Sequence, residues 1–521
     1  MATGRAMTAV VVGVRAHLVE VEAHLAQGLP HWAIVGLPDT AVSESRERVR
    51  AATASSGLPW PTGRITVGLS PASLPKRGSG LDLGIAVAVL TSSAVLPDRD
   101  NVADWVFVGE LGLDGSVRPV GTVLPAALAA ARAGAPRLVV PAAHAAEAEL
   151  VTGLQVMPVW TLRQLWGELT GDDSMAHQEL DVACAARRQV APPVVSTHPA
   201  EPDLADVRGQ RRARRGLEVA AAGGHHLALA GPAGVGKSLL AARLASLLPD
   251  LDDPDALEVT SIRALSETAA PPELIRRPPV VSPHHTTTDV ALIGGGSAER
   301  PRIGLVTKAH AGVLLLDEAA EFSAGALDSL RQSMETGQVT LSRSGFHVEL
   351  PARFQLLLTT NPCPCGRALD SSGRPCSCSS VQRRRYLARL AGPLLDRVDV
   401  RLTLRRPTLA ELSGADGPAE TSTVVADRVR AARQRAARRL AETTWRVNAA
   451  VPAHEIRRNW PVPDALQRAL SQAAESQESV RGLDLALRVA WTLADLAGKD
   501  APGPGELTEA MSLRNSEAWL A

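Results

Sequence analysis

The sequence predicts an α/β protein whose C-terminal part is all helix, and three observations carry this. Apolar runs of strand length alternate with amphipathic stretches of helix length up to about residue 405. A glycine-rich loop joins one of those strands to a helix. Beyond residue 406 the apolar spacing is helical throughout. The 521 residues allow roughly three domains of about 150 residues each. The chain is 45% hydrophobic and 21% charged, which is ordinary for a globular protein. Its longest apolar runs, such as AVVV and IAVAVL, are far too short to span a bilayer. The start, MATGRAMTAVVVGVRAH, lacks a long apolar stretch with a small-residue cleavage site. A cytoplasmic protein with no membrane partner is therefore expected, in a compartment that disfavours structural disulfides. Formal net charge is zero, so any nucleic-acid surface has to be local.

In chain order, residues 8–36 read as strands. In HLVEVEAHL the residues Val19, Val21, Ala23 and Leu25 share a face by alternation. Residues 40–55 read as a helix, RITVGLS as a strand, and residues 80–92 as a buried helix opening after glycines. A strand near 105–110, a helix at 124–133 and a strand at 137–140 follow. These make a first α/β domain, 1–170. Residues 171–206, with APPVVSTHPAEPD at their centre, read as a linker. Strands and helices alternate again over 207–405, and 406–521 is helical.

GPAGVGKS, Gly231 to Ser238, fits G-x-x-x-x-G-K-[ST] between the strand HLALA and the helix LLAARLASLL. Gly231, Gly234 and Gly236 would let the loop, which also includes Pro232, Ala233 and Val235, turn its available backbone N–H groups inward around phosphate oxygens. Lys237 would reach the β- and γ-phosphates, and the Ser238 hydroxyl would bind Mg²⁺. A mechanism that needs a lysine has few candidates here: Lys76, Lys237, Lys308 and Lys499 are the four lysines of the chain. GVLLLDEA, at 312–319, is a buried strand ending in two carboxylates. Asp317 would hold Mg²⁺ through water, and Glu318 would polarise the attacking water. QLLLTTN ends in Asn361, a polar tip suited to orienting that water. In GPLLDRVD, Arg397 is the candidate arginine finger for the γ-phosphate of a neighbouring subunit. Its bland alternative is a surface pair with Asp396 or Asp399. Arg481, near the start of the apolar helix 479–498, is the candidate second sensor, with Arg488 as the alternative.

Four of the five cysteines stand in NPCPCGRALDSSGRPCSCSS as Cys363, Cys365, Cys376 and Cys378. Two Cys-x-Cys pairs ten residues apart can converge on a tetrahedral Zn²⁺. Free thiols and a redox switch are the other two readings. Cys184 lies in the linker and reads as incidental.

GQVTLSRSGFHVELPARF reads as a hairpin turning at Ser344-Gly345, with Arg343 and His347 near its tip. GGGSAERPRIG carries Arg300 and Arg302 in a second loop. Both are candidate DNA contacts, and for the hairpin a structural role at a subunit interface is the competing reading. Six arginines on the helix VADRVRAARQRAARRL, and RRR at 383–385, read more readily as solvated or intersubunit surface. Contacts to DNA from such groups would be to phosphate, salt-sensitive and sequence-neutral.

Taken together these motifs resemble the Mg-chelatase-like AAA+ ATPases of the YifB/ComM group. The resemblance runs over nearly the whole chain. It rests on VGLPDTAVSESRERVRAA, SPASLPKRGSGLDLGIAVAVL and GELGLDGSVRPVGTVLPAALAA in the first domain. In the core it rests on DVRGQRRARRGLEVAAAGGHHLALAGPAGVGKS, PHHTTTDVALIGGG, LLLDEAAEFSAGALDSLRQSMETGQVTLSRSGFHVELPARFQLLLTTNPCPCG and LAGPLLDRVDV. It implies a Lon-protease-like N-terminal domain, an AAA+ core and a helical lid. It also implies a homo-hexamer that hydrolyses ATP between subunits and moves DNA in recombination or natural transformation. The alternatives are the ATPase subunit of a metal chelatase and a protein-remodelling ATPase. Gly80 and Leu124 stand where a Lon-type serine and lysine would, and Lys76 is the lone lysine before the phosphate loop. No peptidase activity is expected.

Overall fold

The computed structural model describes residues 2–93, 102–172, 201–266, 273–296, 301–343, 346–368, 375–390, 394–413, 419–460, 462–475 and 480–514. Contacts divide the chain into two compact units. One is Met1–Ser196 with Asp253–Ile275, the other Thr197–Asp252 with Arg276–Ala521. The stretch Asp253–Ile275, read from sequence as part of the core, thus belongs with the N-terminal unit. Its helix, Asp253–Ser266, packs Leu257 into the apolar cluster around the helix Val123–Arg132.

The N-terminal unit is built on a seven-stranded mixed sheet of β1 (Ala2–Val12), β2 (Arg15–Ala26), β3 (His31–Val35), β4 (Arg64–Ser70), β5 (Val106–Phe107), β8 (Arg137–Pro141) and β9 (Gln155–Val159). Two short strands, β6 (Glu110–Leu111) and β7 (Val117–Arg118), form a separate hairpin. The order is β3-β4-β2-β1-β5-β8-β9. β1 and β2 pair antiparallel from Ala2↔Leu25 to Val12↔Arg15. Val19, Val21 and Ala23 are fully buried on one face of β2, as the alternation predicts. The helix Asp82–Ser92 lies against β1 and β2 with only Thr91 outside the buried set. The predicted single helix over 40–55 is broken at Glu44, which caps Thr40–Ser43 and opens Ser45–Ser55.

One buried ion pair locks that second helix to the helix beneath the sheet. Arg48 donates from Nε to Asp82 at 2.6 Å and from Nη2 at 2.9 Å. The Asp82 side chain is 1% exposed, and burial pushes its carboxyl up to about 6 although Arg48 pulls the other way. Arg48→Met would strand that carboxylate, and breaking a buried pair this way costs about 3–5 kcal/mol. A lower unfolding temperature for this unit is expected by calorimetry at pH 8. The loss should shrink as pH falls from 8 towards 6, because without Arg48 the buried carboxyl protonates at higher pH and a protonated Asp82 no longer needs the cation.

The second unit carries a parallel sheet of β10 (Leu227–Ala230), β11 (Val280–Val281), β14 (Val313–Leu316), β17 (Gln355–Thr360) and β18 (Val400–Thr403), in the order β11-β14-β17-β10-β18. β12 (Gly294–Gly296) with β13 (Pro301–Ile303), and β15 (Gln338–Arg343) with β16 (Phe346–Pro351), form two antiparallel hairpins. Helices Arg211–Gly223, Ser422–Arg439, Val480–Ala497 and Pro504–Arg514 share one apolar core with the sheet. A buried polar chain runs alongside. His225 meets Thr492 at 2.7 Å, Asn448 donates to Thr492 and Asp495, and Arg439 grips both oxygens of Asp495. The helix expected after the glycine-rich loop is interrupted. It runs Lys237–Ala241, then Leu244–Leu247, and between them Arg243 turns back to the Asp203 carbonyl and Asp206. No helix among the described residues is long and apolar enough to cross a membrane.

Candidate nucleotide site

β10, β14 and β17 end side by side, and their C-terminal tips carry the candidate groups. Parallel sheets bind ligands at that edge because loops and helix starts, not side-chain packing, occupy it. The loop Gly231–Ser238 leaves β10 with Gly234 at φ +74° and Gly236 at φ +96°. A Cβ at either would meet open space, so the left-handed backbone is what demands glycine. Ala233, Gly234 and Ser238 are exposed at the mouth, while Pro232, Val235 and Lys237 are buried.

Lys237 is folded back. Its Nζ donates to the carbonyls of Gly231 and Pro232 and to Asn361 Oδ1, each at 2.9 Å. Burial lowers its pKa, while Asp317 and Glu318 act against that shift. Ser238 Oγ lies 3.0 Å from both oxygens of Asp317. A hydroxyl beside a carboxylate is the hard-oxygen donor set that suits Mg²⁺.

Thr359, a residue the sequence reading passed over, organises this corner. Its Oγ1 donates to Asp317 Oδ1 at 2.5 Å and accepts from the Glu318 N–H at 3.1 Å. Its position two residues before Asn361 on β17 was the available signal. Glu318 is exposed and sits at φ 53°, ψ 47°, a left-handed conformation that costs a non-glycine residue about 1–2 kcal/mol. Such strain persists where surrounding contacts fix it, commonly at functional groups. β14 ends at Leu316, and the Glu318 side chain stays exposed beyond it.

The ion pair that Arg397 makes is not with Asp396 or Asp399, the alternative to the finger reading. Arg397 bonds to Glu335, in the last turn of the helix Ala324–Thr336, with its side chain 13% exposed. Asp396 instead faces Arg401 at 4.0 Å, and Asp399 faces His225 at 3.4 Å. Arg481 is exposed in the first turn of Val480–Ala497, and no hydrogen bond joins it to the other candidates among the described residues. Arg488 is half-buried, and its charge acts on the buried Asp399, not on the phosphate loop.

The hairpin β15–β16 has the predicted register, with Arg343 opposite Phe346. Its turn, Ser344-Gly345, lies outside the described residues. His347 is exposed and meets Ser342 Oγ at 2.9 Å. Arg302 is exposed on β13, and Arg300 lies outside the described residues. The arginine-rich helix is largely spoken for. Arg428 pairs with Glu218 and Glu420, Arg430 with Asp427, and Arg439 with Asp495. Arg433 donates to the Ala221 carbonyl and Arg435 to that of Asp495.

The four cysteines come together although the segment between the pairs, 369–374, lies outside the described residues. Cys363 Sγ is 3.4 Å from Cys365 Sγ and 3.6 Å from Cys376 Sγ, and Cys365 is 3.5 Å from Cys376. With Cys378, all four sulfurs lie within 4.8 Å of one another. A tetrahedron of thiolates about 2.3 Å from zinc has edges of about 3.8 Å. Backbone N–H groups of Arg367 and Ala368 face Cys363, and those of Arg367 and Ser377 face Cys365. Burial pushes the Cys363 thiol up, while the Arg367 N–H holds Cys365 down at about 6.

In the N-terminal unit, Lys76 is fully buried and donates to the Pro71 carbonyl. A Cβ at Gly80 would face Thr122 and Val120, and Leu124 is fully buried with its N–H on Glu147.

Three family descriptions match the chain. The family described as "Magnesium chelatase, subunit ChlI" matches residues 203–412. "Subunit ChlI of Mg-chelatase" matches 21–144, and "Magnesium chelatase, subunit ChlI C-terminal" matches 419–514. YifB of Escherichia coli is 37% identical over 517 residues, 98% of this chain and 97% of YifB. The chain belongs to the YifB/ComM family of Mg-chelatase-like AAA+ ATPases. Competence protein ComM of Haemophilus influenzae is 36% identical over 507 residues, 96% of each chain. An uncharacterized protein of Mycobacterium tuberculosis is 46% identical over 520 residues, 99% of this chain and all of that one. The loop at Lys237 and the carboxylates at the tip of β14 both lie within the stretch 203–412 that the first of these family descriptions matches.

Proposed function

We propose that this protein is a homo-hexameric ATP-driven motor that moves on single-stranded or branched DNA. The observation that carries the motor reading is the cluster Lys237, Ser238, Asp317, Thr359, Glu318 and Asn361 at one sheet edge. Ser238 and Asp317 would hold Mg²⁺, which neutralises phosphate charge when bound. Lys237 leaves its carbonyls and Asn361 to bind the β- and γ-phosphates. That exchange frees Asn361 to orient the water that Glu318 polarises. Arg397 reaches the γ-phosphate of the neighbouring subunit, and Arg481 touches nucleotide from the lid. Zn²⁺ in the four-cysteine site is a structural ion, since four thiolates leave no open position for a substrate. The N-terminal unit, a Lon-like domain without its dyad, serves ring assembly or partner binding.

The DNA part rests on the two hairpins, with Arg302 and His347 exposed on them, and on the name of the ComM relative, a competence protein. The intrachain partners of Arg428, Arg430, Arg433, Arg435 and Arg439 make the lid helix the weaker DNA candidate, and the hairpins the place to look. The family descriptions, which come from a magnesium chelatase subunit, favour one second reading: the motor of a metal chelatase.

ATP hydrolysis should be measured with no DNA, single strand, duplex and a four-way junction. We expect several-fold stimulation by single-stranded or branched DNA that fades as salt rises, because the contacts are to phosphate. Basal hydrolysis indifferent to every DNA would remove the DNA motor. Stimulation by porphyrin and a chelatase partner instead would establish the second reading.

A further inference from the structure

The turn that carries the first cysteine pair also holds the phosphate loop. Ala233 N–H donates to the Gly366 carbonyl at 3.1 Å, and Gly231 N–H donates to the Thr360 carbonyl at 3.2 Å. With Lys237 on Asn361, the loop is stitched at three points to residues 360–366. Gly366 follows Cys365 directly, and its own N–H closes the turn on the Cys363 carbonyl at 2.9 Å. It sits at φ +72°, and a Cβ there would fall 3.0 Å from the Cβ of Ala233. Gly366 is thus a glycine for two reasons: its backbone is left-handed, and the phosphate loop lies against it.

We propose that zinc bound by Cys363, Cys365, Cys376 and Cys378 sets the shape of the phosphate loop, so that nucleotide affinity depends on the metal. This rests on the reading of that loop as the nucleotide site. Tetrahedral ligation fixes Cys363 and Cys365 against Cys376 and Cys378, which fixes the turn between the first two. The Gly366 carbonyl then stands where Ala233 needs an acceptor, and the outer arm of the loop is held open before nucleotide arrives. Without the ion the turn keeps the Gly366 N–H bond to the Cys363 carbonyl and the N–H contacts to the thiols, but nothing fixes the first cysteine pair against the second, and the arm loses its fixed acceptor. The metal therefore acts by pre-organisation, away from the reacting atoms. The cysteines lie in sequence between Asn361, after β17, and Arg397. The hydrogen bond to Ala233 carries their effect onto the phosphate loop itself.

The test uses the full chain. Zinc content is measured by atomic emission, and Mg²⁺-supported binding of a fluorescent ATP analogue is titrated in three samples. These are protein as purified, protein treated with a zinc-selective chelator, and treated protein with Zn²⁺ restored. One zinc per chain is expected. Its removal should weaken nucleotide binding about 5- to 10-fold, the worth of one good hydrogen bond, and Zn²⁺ should restore it. Gly366→Ala should keep its zinc and its circular dichroism spectrum yet bind nucleotide as weakly as the stripped protein. Absence of stoichiometric zinc overturns the site. Full zinc whose removal leaves affinity unchanged overturns the coupling but not the site. Zinc-loaded, folded protein that binds no nucleotide at all overturns the ATPase reading, and the coupling falls with it.

Discussion

Arg397→Ala is expected to cut ATP turnover by about 10³- to 10⁵-fold, the range for losing an arginine that stabilises the transferring phosphoryl group. Nucleotide affinity should change little, because such an arginine acts mainly in the transition state. The structure sharpens the test. Arg397 is bonded to Glu335 of its own chain, so a drop in turnover could come from loosening the helix Ala324–Thr336. Glu335→Gln separates the two. It removes the same ion pair but leaves the guanidinium, and turnover should be kept or raised. If Glu335→Gln loses as much activity as Arg397→Ala, the arginine is a structural partner and not a finger. Mixing supplies a second check. Arg397→Ala subunits keep a sound nucleotide site, and Lys237→Ala subunits keep a sound arginine. A mixture that hydrolyses ATP faster than either variant alone requires a site shared across an interface. Silence in the mixture would place Arg397 in its own subunit's chemistry or in none.

Glu318→Gln should lower hydrolysis by about 10²- to 10⁴-fold, the usual contribution of a positioned general base. ATP binding should survive, since Lys237, Ser238 and Asp317 stay in place. The substitution keeps side-chain shape, and the left-handed backbone at 318 is held by the N–H bond to Thr359, which the change does not touch. The measurement is single-turnover hydrolysis beside equilibrium binding of ATP with Mg²⁺. Loss of both would mean that Glu318 serves folding of the strand tip or metal binding rather than the water. Unchanged hydrolysis would move the base elsewhere, with Glu321 and Asp317 the nearest carboxylates along the chain.

The sequence by itself determined what is local. A phosphate loop is a run of backbone conformations, so Gly234 and Gly236 announce it without help from the rest of the chain. The strand ending in Asp317-Glu318, the strand ending in Asn361, the hairpin turning at Ser344-Gly345 and the buried helix, read as 80–92 and found at Asp82–Ser92, were equally legible, because period and turn residues lie within a few positions of each other. The tertiary structure decided what depends on distant partners. Arg397 finds Glu335 at a separation of 62 residues, and Arg433 finds the Ala221 carbonyl at 212. No local pattern records either contact, so the sequence reading could name neither Glu335 nor the Ala221 carbonyl as a partner. The helix Asp253–Ser266 follows the same rule. Its apolar face fits either unit by composition, and only packing assigns Leu257 to the N-terminal cluster. The cysteines show both halves at once. Their spacing announced a convergent cluster, while the fold brought Gly366 against Ala233 and tied that cluster to the phosphate loop. Backbone chirality and side-chain period are written residue by residue, whereas the pairing of buried charges and carbonyls is chosen by whichever groups the finished core leaves adjacent.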